Sequence, residues 1–80
     1  MDELIVEGLD YEDFVVLKKV LEQNTMFSSK EDDSNNSILV CIPEEHFGTI
    51  FRELKKLGYK MVFKTRIEKS NSLTCTFIKI

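Results

Sequence analysis

Residues 38–67 read ILVCIPEEHFGTIFRELKKLGYKMVFKTRI, and the changes of period inside this stretch decide the fold. Ile38 to Ile42 is an apolar run without polar interruption, the pattern of a central strand covered on both faces. Pro43 closes it, and Glu44 and Glu45 place negative charge in the first turn of the helix that follows. Phe47, Ile50, Phe51, Leu54 and Leu57 then recur at helical spacing on one face. Lys55 and Lys56 fall in the last turn, Gly58 stands at the position just past the helix, and Tyr59 is placed for the hydrophobic contact of a Schellman motif. From Tyr59 onward the period becomes two. Tyr59, Met61, Phe63 and Ile67 are expected to point to the core, and Lys60, Val62, Lys64 and Arg66 away from it.

Toward the C-terminus, Lys69 to Ser72 reads as a turn, after which Leu73, Cys75 and Phe77 resume the apolar face. Ile78 and Ile80 break that alternation, which predicts a bulge or an edge switch near Phe77. Toward the N-terminus, Leu4-Ile5-Val6 ending at Gly8 is a short strand. Asp10 reads as a helix N-cap, with Asp13 at capping-box spacing. Phe14, Leu17, Val20 and Leu21 then define a helix from about Tyr11 to Gln23, with Asn24 as a left-handed stop. Met26-Phe27 could begin a second strand. Residues 28–37 contain no apolar side chain before Ile38 and read as a polar, acidic loop or long hairpin turn.

The element order is β-α-β-β-α-β-β. The economical architecture is a single α+β domain over residues 1–80, with two helices on one face of an antiparallel sheet. The expected topology is ferredoxin-like, β-α-β-β-α-β, with an extra C-terminal strand whose unpaired edge is free for β-addition. An 80-residue chain has a small core, so a homo-oligomer or a bound partner is a natural way to complete it.

Charge is sorted along the chain. Through Asp33 the net charge is −7, from there to Ile80 it is +4, and the whole carries −3. Sorted charge steers partners. The chain has no apolar run long enough to span a membrane, and its Met-Asp-Glu start is acidic where a targeting peptide is basic. Cys41 and Cys75 both sit in apolar runs and read as small core residues rather than a disulfide. The expected location is intracellular, cytoplasmic or nuclear.

Catalytic chemistry has little to work with. His46 is the one histidine, with no nucleophile signature to serve it, and it reads as a surface residue near a helix start. One His and two Cys in separate elements give no zinc spacing, and Glu31-Asp32-Asp33 lacks the register of a calcium loop. Gly8, Gly48 and Gly58 are isolated, so no phosphate-cradling loop exists. The expectation is a non-enzyme without metal or cofactor. Ser28 and Ser29 have acids three positions on, a spacing that suits an acid-directed kinase and is common by chance.

The better candidate is a binding surface on the open sheet face. Lys60, Lys64 and Arg66 supply positive charge there, and Val62, Ile78 and Ile80 an apolar contact. This suits a protein partner, and the chain reads as a non-catalytic interaction or regulatory subunit. The alternative is an RNA- or DNA-binding module using the basic hairpin, against which stands the lack of an aromatic residue at the expected open-face positions. A small-molecule regulatory domain is a further possibility.

The run 38–42, the proline-started helix, Leu57-Gly58-Tyr59 and the hairpin ending Ser72-Leu73-Thr74-Cys75-Thr76-Phe77 resemble, in order of elements, the C-terminal half of the GTP cyclohydrolase feedback regulatory protein. The likeness covers about half of the chain. It implies a small non-enzymatic regulator that assembles into rings of subunits and docks on a partner enzyme.

Overall fold

Apolar side chains spaced at two and at 3.6 residues bury themselves against one another here in two layers. The computed structural model describes residues 2–23 and 28–80, Ser28 through its backbone alone. The order is β1 (Asp2–Glu7), α1 (Tyr11–Gln23), β2 (Ser28–Asp32), β3 (Ser37–Ile42), α2 (Phe47–Lys56), β4 (Tyr59–Ile67) and β5 (Ser72–Lys79). Short 3-10 turns at Glu44–His46 and Glu68–Ser70 precede α2 and β5. The expectations for Asn24 and Met26-Phe27 lie outside the described residues.

The core is one cluster. Leu4 and Val6, Ile38, Val40 and Ile42, and Leu73, Cys75 and Phe77 face Phe14, Leu17 and Leu21 of α1 and Phe47, Ile50 and Leu54 of α2. Both helices therefore cover the same face of the sheet. Each such Leu, Ile or Phe contributes about 1.5–3 kcal/mol by leaving water.

The sheet is five-stranded and mixed, in the order β2-β3-β1-β5-β4. β1 pairs parallel with β5, while the β1–β3, β2–β3 and β4–β5 pairs are antiparallel. This strand order differs from the ferredoxin-like expectation. The C-terminal strand is not an added edge; it lies between β1 and β4, and the edges are β2 and β4. Two features account for it. β5 carries a full stripe of buried side chains, whereas β4 carries Lys60, Lys64 and Arg66, which suit an edge. Gly8 also opens the space: at φ +94°, a Cβ there would meet the Phe77 carbonyl oxygen at 2.3 Å.

Residues 28–37 are not a loop. Ser28–Asp32 form β2, paired to β3 from Ser28↔Cys41 to Asp32↔Ser37, and only residues 33–36 turn. Asp32 organises that turn. Its carboxylate accepts from the Ser34 hydroxyl at 2.6 Å and the Asn35 amide at 2.8 Å, bonds that hold its pKa below the ordinary carboxylate value. Asn36 takes the left-handed conformation at φ 50°. β3 also departs from expectation: Ile38, Val40 and Ile42 are buried, but Leu39 and Cys41 on its other face are only half-covered. Cys41 and Cys75 thus lie on opposite faces of the sheet, and both are free thiols.

α2 ends as its sequence dictates. Gly58 sits at φ +91° and its N–H donates to the Lys55 carbonyl at 3.0 Å. At its other end, the Asp2 carboxylate accepts the Glu44 N–H at 2.8 Å, so a residue of β1 caps the 3-10 turn. The expected capping box of α1 is bridged by a tyrosine. The Asp10 N–H donates to the Tyr59 hydroxyl and that hydroxyl donates to the Asp13 carboxylate, each at 2.8 Å.

Candidate functional site

Register decides which side chains share the open face, because residues directly opposite one another in a ladder point the same way. Ile5 stands between Leu39 and Thr74; Thr74 in turn opposes Thr65. Glu3 stands between Cys41 and Ser72, with Ser72 opposite Ile67; Glu7 opposes Thr76, which opposes Phe63. Lys60 opposes Ile78. These residues alternate with the core set and form the face that the helices leave bare. Two of its polar pairs are tied down: Ser72 donates to Glu3 at 2.9 Å and Thr76 to Glu7 at 2.8 Å. Its apolar groups are not. Phe63 is 60% exposed, Ile67 47% and Ile78 48%, beside half-covered Ile5, Leu39 and Cys41. A hollow of about 280 Å³ lies beside Ile5 and Leu39, against Lys30 to Asp32 of β2.

The hairpin does not present the residues that its alternation suggests. β4 carries a bulge between Met61 and Phe63: Met61 opposes Phe77, and Phe63 already opposes Thr76. The irregularity does fall next to Phe77, with the extra residue, Val62, in the opposite strand. One inserted residue inverts the facing of everything after it. Phe63, Thr65 and Ile67 turn to the open face. Lys64 opposes Cys75 and Arg66 opposes Leu73, which puts both on the helix side. Arg66 there pairs with Glu44, and the Asn71 amide bonds the Asp2 carboxylate beside them. Lys60 and Ile78 thus share the open face as expected, Val62 is the bulged residue and 48% exposed, and Ile80 lies past the end of β5. Phe63 and Ile67 belong to the bare face, although alternation with Tyr59 and Met61 points them to the core. The one signal for them is the Lys-Thr-Arg sequence between them, too charged for a covered strand.

A second concavity of about 500 Å³ opens where α2 meets β4 and β5. Phe51, Tyr59, Met61 and Phe77 form its apolar wall, Ile80 stands at its mouth, and Lys55 and Lys60 line it as well. Phe51 and Phe77 pack with ring centroids 6.1 Å apart.

Titratable groups with displaced equilibria cluster at Tyr59. Burial pushes its pKa up to about 12, with the Asp13 carboxylate adding to the rise. Lys79, 2.9 Å from Asp13, and the Tyr59 hydroxyl together hold the Asp13 pKa below its ordinary value; Asp13 in turn raises that of Lys79. A phenol raised this far stays protonated at neutral pH and can donate to Asp13, so these bonds fasten α1 to the hairpin. Burial also raises the Cys75 pKa, consistent with an inert core thiol. His46 contacts Glu45 at 3.5 Å. Among the described residues, no three His, Cys, Asp or Glu side chains gather as metal ligands, and no helix is long and apolar enough to cross a membrane.

No protein-family model, curated protein or solved structure is similar enough to this chain to count as a match, so the likeness to the feedback regulatory protein gains nothing from these comparisons.

Proposed function

We propose that this chain is a non-catalytic interaction or regulatory subunit that binds a protein partner through the open face of its sheet. One observation carries the reading. A strand as apolar as Ile38–Ile42 is expected to be covered on both faces, yet among the described residues both helices pack on the other face, and Leu39 and Cys41 are only half-covered. That surface continues through Ile5 to the exposed Phe63, Ile67 and Ile78. Phe63, opposite Thr76 and diagonal to Ile78, is an exposed aromatic suited to anchoring a partner, with Lys60 and Lys30 on the same face as flanking charge.

The test is capture of partners from nuclease-treated lysate with the wild type, a Phe63→Ser/Ile78→Ser variant and a Lys64→Glu variant, each checked for an unchanged melting temperature. The reading expects a stoichiometric protein that is lost with the first variant and kept with the second. A partner bound equally by all three proteins overturns the placement of the site.

Phe63 also bears on the nucleic-acid reading, because it gives the open face the exposed aromatic that the sequence withheld. That reading stands second. Glu3 and Glu7 lie on the central strand of the same face, where a phosphate backbone would meet carboxylates. Binding that vanishes with nuclease and falls steeply with salt would reverse the order.

A further inference from the structure

The two free edges of the sheet carry opposite charge. β2 carries Lys30, Glu31 and Asp32 and runs into Asp33, a net negative edge; β4 presents Lys60, Lys64 and Arg66 and no acid. The facing matches as well as the sign. Glu31 opposes Ile38 and so lies on the helix side of the sheet, the side on which Lys64 and Arg66 lie opposite Cys75 and Leu73. Directions also match. β2 is antiparallel to β3, which is antiparallel to β1, so β2 and β1 run the same way. β4 is antiparallel to β5, which is parallel to β1, so β4 runs the opposite way. The β4 of one copy can therefore add antiparallel to the β2 of another with the helices of both on the same side.

We propose that β4 of one molecule pairs with β2 of a second molecule, extending the sheet head to tail, with Lys64 set opposite Glu31. In this register Arg66 lies diagonal to Glu31, within reach of its long side chain. The exposed run 62–67 at the end of β4 is long enough to span the five residues of β2. Self-pairing of β4 is disfavoured: an antiparallel β4 pair centred on Lys64, Thr65 or Arg66 sets a cation opposite a cation. Among the described residues, Glu31 and Lys64 take part in no ion pair within the chain. The contact joins two different surfaces, so it propagates into a closed ring or an open chain according to its rotation. It uses the edges and leaves the open face free, so it stands apart from the partner-binding reading.

Sedimentation of the wild type over a range of concentrations, beside Glu31→Lys, Lys64→Glu and their equimolar mixture, tests it. The wild type is expected to associate, and each single variant to associate roughly tenfold more weakly. The mixture is expected to recover wild-type association, because the glutamate introduced on β4 of one variant then meets the lysine introduced on β2 of the other. Recovery by mixing two defective proteins requires that residue 31 of one molecule meets residue 64 of another, and growth beyond a dimer with concentration marks the contact as head to tail. A wild type that stays monomeric, variants that associate like the wild type, or a mixture no better than its components each overturn the proposal. Independently of any variant, amide exchange of the wild type should slow with concentration at residues 28–32 and 62–67; slowing confined to other strands overturns it too.

Discussion

β4 is one strand with two environments. Tyr59 and Met61 lie against the helices, Tyr59 with its hydroxyl fastened to α1, while every residue from Val62 to Ile67 is exposed. The helix α2 covers the first part, and the bulge at Val62 separates it from the second. Alternation therefore fixes facing only as far as the ladder is unbroken. Before the bulge, apolar residues point to the core; after it, apolar residues point to solvent and cations take the helix side.

The largest expected effect sets the two parts against each other. Phe77→Ala, opposite Met61 and 3% exposed, should cost about 3–5 kcal/mol in denaturant unfolding. Phe63→Ala, two residues past Met61 and 60% exposed, should change stability by no more than about 0.5 kcal/mol. Comparable losses would mean that Phe63 packs in the core and that no bulge inverts the strand.

Next in size is the fastening of the covered part. Tyr59→Phe leaves the Asp10 N–H without its acceptor and should cost about 1–2 kcal/mol. Its pH dependence has a defined sign. A tyrosine raised from 10.0 to about 12 keeps its proton longer in the folded state, so its contribution is complete below pH 10 and is lost between pH 10 and about 12. Lys79, also raised, acts in the same direction, whereas Asp13, lowered, contributes above its ordinary pKa and loses that contribution as pH falls through the depressed one. Unfolding measured from neutral to alkaline pH should thus show a decline that is shallower in Tyr59→Phe. An identical alkaline slope in the two proteins would remove the tyrosine from the account.

How much of this was legible depended on the range of the interactions involved. The second helix, its stop at Gly58 and the order of elements follow from local spacing, although Glu44 and Glu45, expected in the helix's first turn, lie in a 3-10 turn and the α-helix begins at Phe47. The α+β class followed too. The place of β5 between β1 and β4 did not, because strand order is settled by which stripes pack best and by one close approach at Gly8, contacts far apart in sequence. A second strand was expected to begin at Met26-Phe27, but its run through Ser28–Asp32 was read as loop, because an edge strand of Ser, Lys and acids is held by its backbone ladder, which no hydrophobic period reports. Of the open face, the placement of Lys60 and Ile78 was legible, whereas that of Phe63 and Ile67 was hidden by a bulge that composition scarcely marks.

A smaller effect probes the bulge itself. Deleting Val62 should leave Phe63 opposite Thr76 and Lys64 opposite Cys75, since the extra residue has no partner of its own in the ladder. The deletion variant should fold with a stability change within about 1 kcal/mol, and cross-strand nuclear Overhauser contacts between residues 63 and 76 should persist. In an unbulged strand the same deletion would carry Lys64 and everything beyond it to the other face, burying or exposing side chains wholesale. A collapse in stability would therefore show that the strand was regular all along.

The smallest effect belongs to the cations that changed sides. Arg66 pairs with Glu44 while 40% exposed, and a pair so open to water contributes about 0–1 kcal/mol. Arg66→Ala should lower stability by no more than about 0.5 kcal/mol at low salt and by less at high salt, where the pair is screened in the wild type too. Placed on the helix side, Arg66 is also remote from a partner seated on the open face, so the substitution should leave partner capture unchanged while Phe63→Ser abolishes it. If Arg66→Ala instead weakens capture as strongly as Phe63→Ser, then the partner reaches around the β4 edge. In that case the two environments of this strand form one surface, and the bulge turns Phe63 and Arg66 toward the same ligand from opposite faces.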